Sequence, residues 1–299
     1  MAVNVEDALQ YSMTGICTLA VIENLIAIAV FAGTQKLRIK YYTFVVNLAL
    51  ADLIFALFTI PYPWRPKPKI LQGFFTGAYT VSLLTFPAVA VNRYLALSLM
   101  PPARYDSLVT GRRMIGVCIL FWCLSFVYGL VIYNAVPKDV YYLVNFLGYS
   151  LAGCVVLAIT ALVYFLVFRK IKQYTPPLAS AAGISANEER DRTRVKQTRR
   201  LLVMFVLILV VAFITWFPCF VLRMIAILNP SLGLDEIFQM WIWVSYLLYT
   251  LSPVINPWIY WWQLDGFREG FYAMFCRCII KAEPSEIEAD LKTVAETGL

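Results

Sequence analysis

ILQGFFTGAYTVSLLTFPAVAVNRYLALSL, Ile70–Leu99, is thirty residues long and carries one charge, Arg93. As a helix it would run about 45 Å, more than the ~30 Å hydrocarbon core of a bilayer. Its only cation sits near one end, in Val91-Asn-Arg-Tyr-Leu-Ala-Leu97. A guanidinium inside an apolar segment loses hydration, so it is tolerated only near water or beside a partner, and there it marks function.

Six further apolar stretches surround this one: Gln10–Gly33, Tyr41–Pro63, Met114–Asn134, Val140–Phe168, Leu201–Leu228 and Ile237–Trp262. The 299 residues are 61% hydrophobic and 14% charged, with a mean hydropathy of +0.72. That is too little charge for the surface of a soluble domain. The stretches contain Gly, Pro and unbranched residues without period-two alternation, which predicts helices and not barrel strands. The expectation is an all-α membrane protein, a seven-transmembrane helix bundle over residues 10–263. A short amphipathic surface helix over 264–280 follows, with a tail at 1–9 and a disordered tail at 281–299.

Basic residues set the orientation, because cytoplasmic loops collect Lys and Arg. Lys36, Arg38 and Lys40 follow the first span, and Arg104, Arg112 and Arg113 follow the third. Arg169, Lys170, Lys172 and a run from Arg190 to Arg200 lie between the fifth and sixth, and Arg268, Arg277, Lys281 and Lys292 follow the seventh. The N-terminus is predicted outside, with no signal peptide. The net charge of +7 is mostly cytoplasmic, which suits anionic membrane lipids or an acidic protein partner and gives no case for nucleic acid.

Absences narrow the chemistry. The chain has no His, which excludes His-dependent triads, zincin sites and His proton relays. No enzyme motif is present. None of the seven Cys falls in a predicted outer loop, so no extracellular disulfide is expected.

Polar residues inside the spans carry the functional reading. Asn47-Leu-Ala-Leu-Ala-Asp52 places a carboxyl near mid-membrane, at a cost of about 2.5–3.5 kcal/mol unless it is neutralised, ion-bound or wet. Phe75, Tyr79, Ser82, Phe86 and Arg93 share one helical stripe, as do Tyr246, Tyr249, Pro253, Asn256 and Tyr260. Trp216, Cys219, Phe220 and Arg223 lie on the outer half of the sixth span, which Pro218 is predicted to kink. The pattern is an aromatic outer cavity, a polar middle and a basic inner end.

These motifs resemble the rhodopsin-like (class A) G-protein-coupled receptors in all seven spans and the helix after them. Asn24 is similar to the first-span asparagine and Asn47–Asp52 to the N-L-A-x-A-D motif. Asn92-Arg93-Tyr94 resembles the D-R-Y triplet, Trp122 the fourth-span tryptophan, and Tyr164 the fifth-span tyrosine. Thr215-Trp216-Phe217-Pro218 resembles C-W-x-P, Asn256-Pro257-Trp258-Ile259-Tyr260 fits N-P-x-x-Y, and Phe267-Arg268 opens the eighth helix. The departures are Val156 and Ala212 at two family positions and the two missing disulfide cysteines. The outer loop around Asn134–Asp139 is also very short; in lacking that disulfide and the fifth-span proline the chain resembles the melanocortin, cannabinoid and sphingosine-phosphate receptors.

The resemblance implies a plasma-membrane receptor, not an enzyme, that activates a heterotrimeric G protein. It implies a switch of Asn92, Arg93, Tyr94, Tyr164, Asn256, Pro257 and Tyr260, with Arg93 packing against both tyrosines when the sixth helix swings out. The acids that usually lock such an arginine are replaced by Asn92 and Thr198, so high basal activity is expected. No cofactor is implied beyond an allosteric sodium ion held by Asp52, Ser82, Ser252 and Asn256, against a simply protonated Asp52. Phe75, Tyr79, Trp216, Cys219, Phe220, Arg223 and Tyr246 would line the ligand pocket, against ordinary packing. Phe75 stands where amine receptors carry an aspartate, which leaves an apolar or amphipathic small-molecule or lipid-like ligand. Ion-coupled transport and a ligandless scaffold are the alternatives.

Residues Thr175–Glu189 are rich in Pro, Ala, Ser and Gly and predict a flexible loop, followed by a charged extension of the sixth helix to Arg200. Phe267, Phe271 and Phe275 share a face of the surface helix, with Cys276 and Cys278 as candidate palmitoylation sites. The end Glu296-Thr297-Gly298-Leu299 has the form of a PDZ-protein ligand.

Overall fold

In hydrocarbon every backbone N–H and C=O must find its partner within the segment, so each apolar stretch closes as a helix. The computed structural model describes residues 5–38, 42–61, 63–64, 69–99, 102–137, 140, 144, 149–174 and 186–276. Among them the principal helices are α1 (Val5–Gly33), α2 (Thr43–Thr59), α3 (Lys69–Ser98), α4 (Pro102–Leu108) and α5 (Gly111–Asn134). They continue as α6 (Tyr149–Tyr174), α7 (Ala186–Leu228), α8 (Glu236–Thr250), α9 (Ser252–Gln263) and α10 (Asp265–Phe275). Six apolar stretches, with α8 and α9 as one, are long enough to cross a membrane, and the 17-residue α2 is the shorter seventh.

α3 lies at the centre and packs against α2, α5, α6 and α7, while α1 packs against α2, α8, α9 and α10. Leu48, Phe86, Met204, Phe205 and Ile208 fill the interior, whereas Ile119, Leu124, Val127, Phe165, Phe168 and Ile214 face outward. A continuous apolar exterior is a liability in water and the expected surface in lipid. α3 and α5 meet through Gly73, Gly77 and Gly129. A Cβ on Gly73 would lie 3.2 Å from the Gly129 carbonyl, and one on Gly129 would overlap the Gly73 carbonyl. Small residues four apart bring two helix backbones together in this way.

Several boundaries differ from those the sequence predicts. α1 starts at Val5, so residues 5–9 of the expected tail are helical; Asp7 in the first turn complements the helix dipole. α2 stops at Thr59, short of Pro63, because Pro61 and Pro63 cannot extend a helix. The seventh span is two helices broken at Leu251, whose N–H turns back to the Leu248 carbonyl. Pro253 has no N–H for the Tyr249 carbonyl, so the ladder fails there. α7 begins at Ala186, which makes residues 186–189 helical and not loop, and runs through Pro218 without interruption. At 43 residues it spans about 65 Å, well beyond a bilayer. α6 continues past Phe168 to Tyr174. α4 is a further helix, with no prior signal beyond its Pro at the first turn. α10 ends at Phe275; the expected stretch 277–280, Cys278, the loop residues 175–185 and the tail at 281–299 lie outside the described residues.

Candidate functional site

The candidate side chains form three storeys along the bundle axis, from an aromatic end through a polar middle to the basic end that holds Arg93.

The aromatic end is built by rings from four spans. Tyr79 (α3) meets Trp216 (α7) at 4.5 Å between centroids and Tyr249 (α8) at 5.3 Å. Phe55 (α2) meets Phe75 at 4.9 Å and Tyr249 at 5.4 Å. Tyr79, Trp216, Cys219 and Phe220 are all buried. Above them the Arg223 guanidinium donates to the Tyr246 hydroxyl at 2.7 Å and stacks on the same ring, 4.9 Å from its centroid. The pair bridges α7 and α8 and orients a cation at the rim; stacking on a ring favours that pose by about 0.5–2 kcal/mol. The candidate ligand-contact residues Phe75, Tyr79 and Trp216 named from sequence pack together at one end, with Phe55 and Tyr249 among their rings. Tyr249 was on an inward stripe already; Phe55, one turn from Asp52, had no motif to announce it.

The polar middle is cross-linked by amides. Asn24 donates to the Ala20 and Pro253 carbonyls, each at 2.9 Å, tying α1 to the break in the seventh span. Asn47 donates to Thr85 Oγ1 at 2.9 Å and accepts from the Trp122 indole at 2.9 Å, so one side chain holds α2, α3 and α5 together. Asp52 is buried and accepts from Asn256 Nδ2 at 2.7 Å, with a further hydrogen bond to Ser82. Ser252 is buried one turn before Asn256, whose Oδ1 has no hydrogen-bond partner among the described residues.

At the basic end Arg93 is only 2% exposed. Leu201, Leu202, Met204 and Phe205 near the inner part of α7 are buried too, and at its present burial Arg93 offers no surface to a partner. Tyr164 and Tyr42 lie within electrostatic reach of it. The hydroxyls of Tyr164 and Tyr260 are buried with no hydrogen-bond partner among the described residues. Asn92 accepts from the Tyr105 hydroxyl of α4 at 2.8 Å and its amide approaches Met114 Sδ at 3.6 Å. Tyr94 lies under Lys170 of α6, whose Nζ is 5.2 Å from the ring centroid and 3.0 Å from Ser98 Oγ. The Thr198 side chain is outside the described residues. A second contact holds α7: Arg200 forms an ion pair with Asp265 at the start of α10, which also accepts from Arg268 at 2.6 Å. Sequence reading missed Tyr105 and Asp265: neither lies in a motif, and only the fold brings Asp265 to Arg200 and Tyr105 to Asn92 across the turn after α3.

α10 lies against the first turn after α1. Lys36 pairs with Glu269 at 2.9 Å, and Phe267 contacts Phe31 and Tyr260 at 5.2 and 6.2 Å. Cys276, just past its end, is a partly buried free thiol.

Comparison with known proteins agrees with this architecture. A family model described as "7 transmembrane receptor (rhodopsin family)" matches residues 23–260. The chain belongs to the rhodopsin family of seven-transmembrane receptors, and is a receptor and not an enzyme. It is similar to adenosine receptor A2b from Homo sapiens, 26% identical over 98% of this chain and 96% of that one. The A2b receptor of Rattus norvegicus is 25% identical, over 94% and 93%. Adenosine receptor A2a of Canis lupus familiaris is 25% identical, over 86% and 69%. Squid rhodopsin shares the fold, with a TM-score of 0.77 at 18% identity over 99% of this chain and 92% of that one. The likeness to the disulfide-lacking receptor groups rests on the missing features alone. Family membership implies a G protein and an extracellular ligand as partners, and leaves the transporter alternative without support.

Proposed function

We propose that this receptor sits in the plasma membrane with its N-terminus outside, and that binding of an apolar or amphipathic ligand at the aromatic end drives nucleotide exchange on a heterotrimeric G protein at the basic end. The observation that carries this reading is the burial of Arg93 at a closed end rich in Lys and Arg. An ionisable side chain held inside a membrane bundle is costly and marks a functional position. The mechanism is a population shift: contacts around Trp216 favour the state in which α7 parts from α3 near the basic end. Arg93, Tyr164 and Tyr260 then meet, which gives both tyrosine hydroxyls the partners they lack. Asn92, Tyr94, Asn256 and Pro257 belong to the same switch.

The resting state lacks an acid on Asn92 and is held instead by Tyr105 and by the Arg200–Asp265 pair. Both members of that pair are nearly half exposed, and exposed ion pairs contribute about 0–1 kcal/mol. High basal exchange is the consequence. Asp52, Ser82, Ser252 and Asn256 fit a sodium ion, since a hard cation takes oxygen ligands and the Asn256 Oδ1 has no donor. The ion would supply the positive charge that offsets the carboxylate. Ligand contact falls to Phe75, Tyr79, Trp216, Cys219, Phe220, Arg223 and Tyr246, with Arg223 meeting an anionic group. Adenosine, the ligand in the relatives' names, is the second candidate, because the chain aligns with those receptors over nearly its whole length and the same rings would stack a purine. Cys276 and Cys278 are the lipidation candidates, and a PDZ partner would take the terminal residues.

The test is nucleotide exchange by a panel of Gα subunits with wild type and Arg93→Ala, each with and without adenosine. Coupling to one subunit that vanishes in the variant supports the reading. Exchange unaltered by Arg93→Ala would overturn it.

A further inference from the structure

α4 is a seven-residue helix that follows α3 in the chain and carries the phenol bonded to Asn92. So short a helix closes only about three i→i+4 bonds and is marginal by itself. Two contacts anchor it. Tyr105 is fully buried with its hydroxyl on Asn92. At the other end Arg113, in the first turn of α5, reaches back to α4. Its guanidinium donates to the Ser107 carbonyl at 3.1 Å and to the Leu108 carbonyl at 2.7 Å. The last carbonyls of a helix have no partner within it, and a cation there complements the negative end of the helix dipole. Arg113 is the cap of α4.

Ser107 sits at this cap. It is exposed, as are Arg104, Asp106, Arg112 and Arg113, and its Oγ donates to the Arg104 carbonyl at 2.9 Å. Arg104 precedes it by three residues, in Arg104-Tyr-Asp-Ser107, and Arg112 and Arg113 follow. A basic residue at a fixed distance before a hydroxyl is the kind of charge pattern by which protein kinases choose substrates. A phosphate on Oγ would add about two negative charges and three acceptor oxygens. Charge-assisted hydrogen bonds are roughly twice as strong as neutral ones, so Arg113 gains by leaving two carbonyls for a phosphate on the same residue. The phosphate would also stand at a helix C-terminus and beside Asp106, both of which repel it. Each effect strips the cap from α4.

We propose that Ser107 is a phosphorylation site for a protein kinase that recognises basic residues, and that its phosphate draws Arg113 off α4 and frees Tyr105 from Asn92. In the transfer the γ-phosphoryl group of ATP forms a P–O bond to Ser107 Oγ as its bond to ADP breaks, and the hydroxyl proton goes to the catalytic base of the kinase. Access to ATP rests on the orientation proposed above, which puts the basic end in the cytosol. The loss of the Tyr105 contact removes one restraint on the resting state, a consequence that rests on the same reading.

The experiment uses the full chain in phosphatidylcholine nanodiscs, which leave both faces open. The catalytic subunit of a cyclic-nucleotide-dependent protein kinase is added with ATP, followed by peptide mapping and hydrogen exchange. Phosphate is expected on Ser107, at a rate about tenfold lower in Arg104→Ala, the loss of one charge-assisted contact. The amides of residues 103–108 are expected to exchange about fivefold faster in the phosphorylated chain. Arg113→Gln, which removes the cap without a phosphate, is expected to exchange that segment equally fast before and after phosphorylation. Absence of phosphate from Ser107 while a reference peptide is modified, an unchanged rate in Arg104→Ala, or unchanged exchange in the phosphorylated wild type overturns the proposal. Failure of the Arg93→Ala test with these results intact would strike the G-protein reading and leave this site standing.

Discussion

The two ends of this bundle are held by different physics. Toward the basic end, single amides and one carboxyl join helices at defined atoms: Asn24 to Pro253, Asn47 to Thr85 and Trp122, Asp52 to Asn256, Asn92 to Tyr105. Toward the other end, the rings of Phe55, Phe75, Tyr79, Trp216 and Tyr249 pack at tilted angles, and α3 approaches α5 through glycines. A hydrogen bond is made or lost over a fraction of an ångström, whereas packed rings can slide and repack around a guest. The first arrangement suits a switch with discrete states, the second a site that adapts its shape.

Breaking shape should cost most. Gly129→Leu drives a side chain into the Gly73 backbone, which cannot move without separating α3 from α5. Overpacking of this kind costs about 1–3 kcal/mol even where neighbours can yield, and a helix backbone yields little. The expected outcome is loss of the monodisperse folded receptor on detergent gel filtration.

Breaking the amide at Asn47 should cost less. Asn47→Leu leaves the Trp122 N–H without its acceptor, while Thr85 keeps its bond to the Val81 carbonyl. Interhelical hydrogen bonds in membranes are worth about 1–2 kcal/mol at most, so a lowered Tm with a folded protein is expected. If the glycine variant were the milder of the two, the contrast between the ends would fail.

The ion tests the middle. Bound sodium stabilises the state that binds it by mass action, about 1 kcal/mol when its concentration is a few times Kd. Replacing choline chloride with sodium chloride should raise the Tm of the wild type and not of Asp52→Asn. A rise in both would show that the cation acts elsewhere.

The smallest effect concerns the latch. Asp265→Asn removes the Arg200 pair, and since such pairs hold about 0–1 kcal/mol, basal exchange should rise by no more than about fivefold. Asn92→Asp is expected to move basal exchange the other way. Unchanged exchange in both variants would mean that neither position 92 nor the Arg200–Asp265 pair sets the resting state.

The contrast also explains what could be read from residues alone. Asn24, Asn47, Asp52, Asn256 and Arg93 stand out in the sequence because a polar group in an apolar run has a cost that demands a reason. Their motif spacing placed each on its helix, and the bundle followed. Partners were harder to see. Trp122 and Asn47 are both visible singly, but their contact joins spans that only the fold brings together. Phe55 looks like any apolar residue of α2 until its ring is found between Phe75 and Tyr249. Helix ends followed local chemistry that periodicity hides: Pro61 stops α2, Pro253 splits the seventh span, and an acidic, helix-favouring start extends α7 back to Ala186.

The account turns on Arg93 being sealed in one state and reached in another by the parting of α7 from α3. Spin labels on unnatural residues at positions Leu99 and Arg199, measured by pulsed dipolar spectroscopy, report that distance directly. A population at longer distance should appear on adding nucleotide-free G protein and fade on adding GTP. A single distance distribution, unchanged by a G protein that nevertheless exchanges nucleotide, would contradict it.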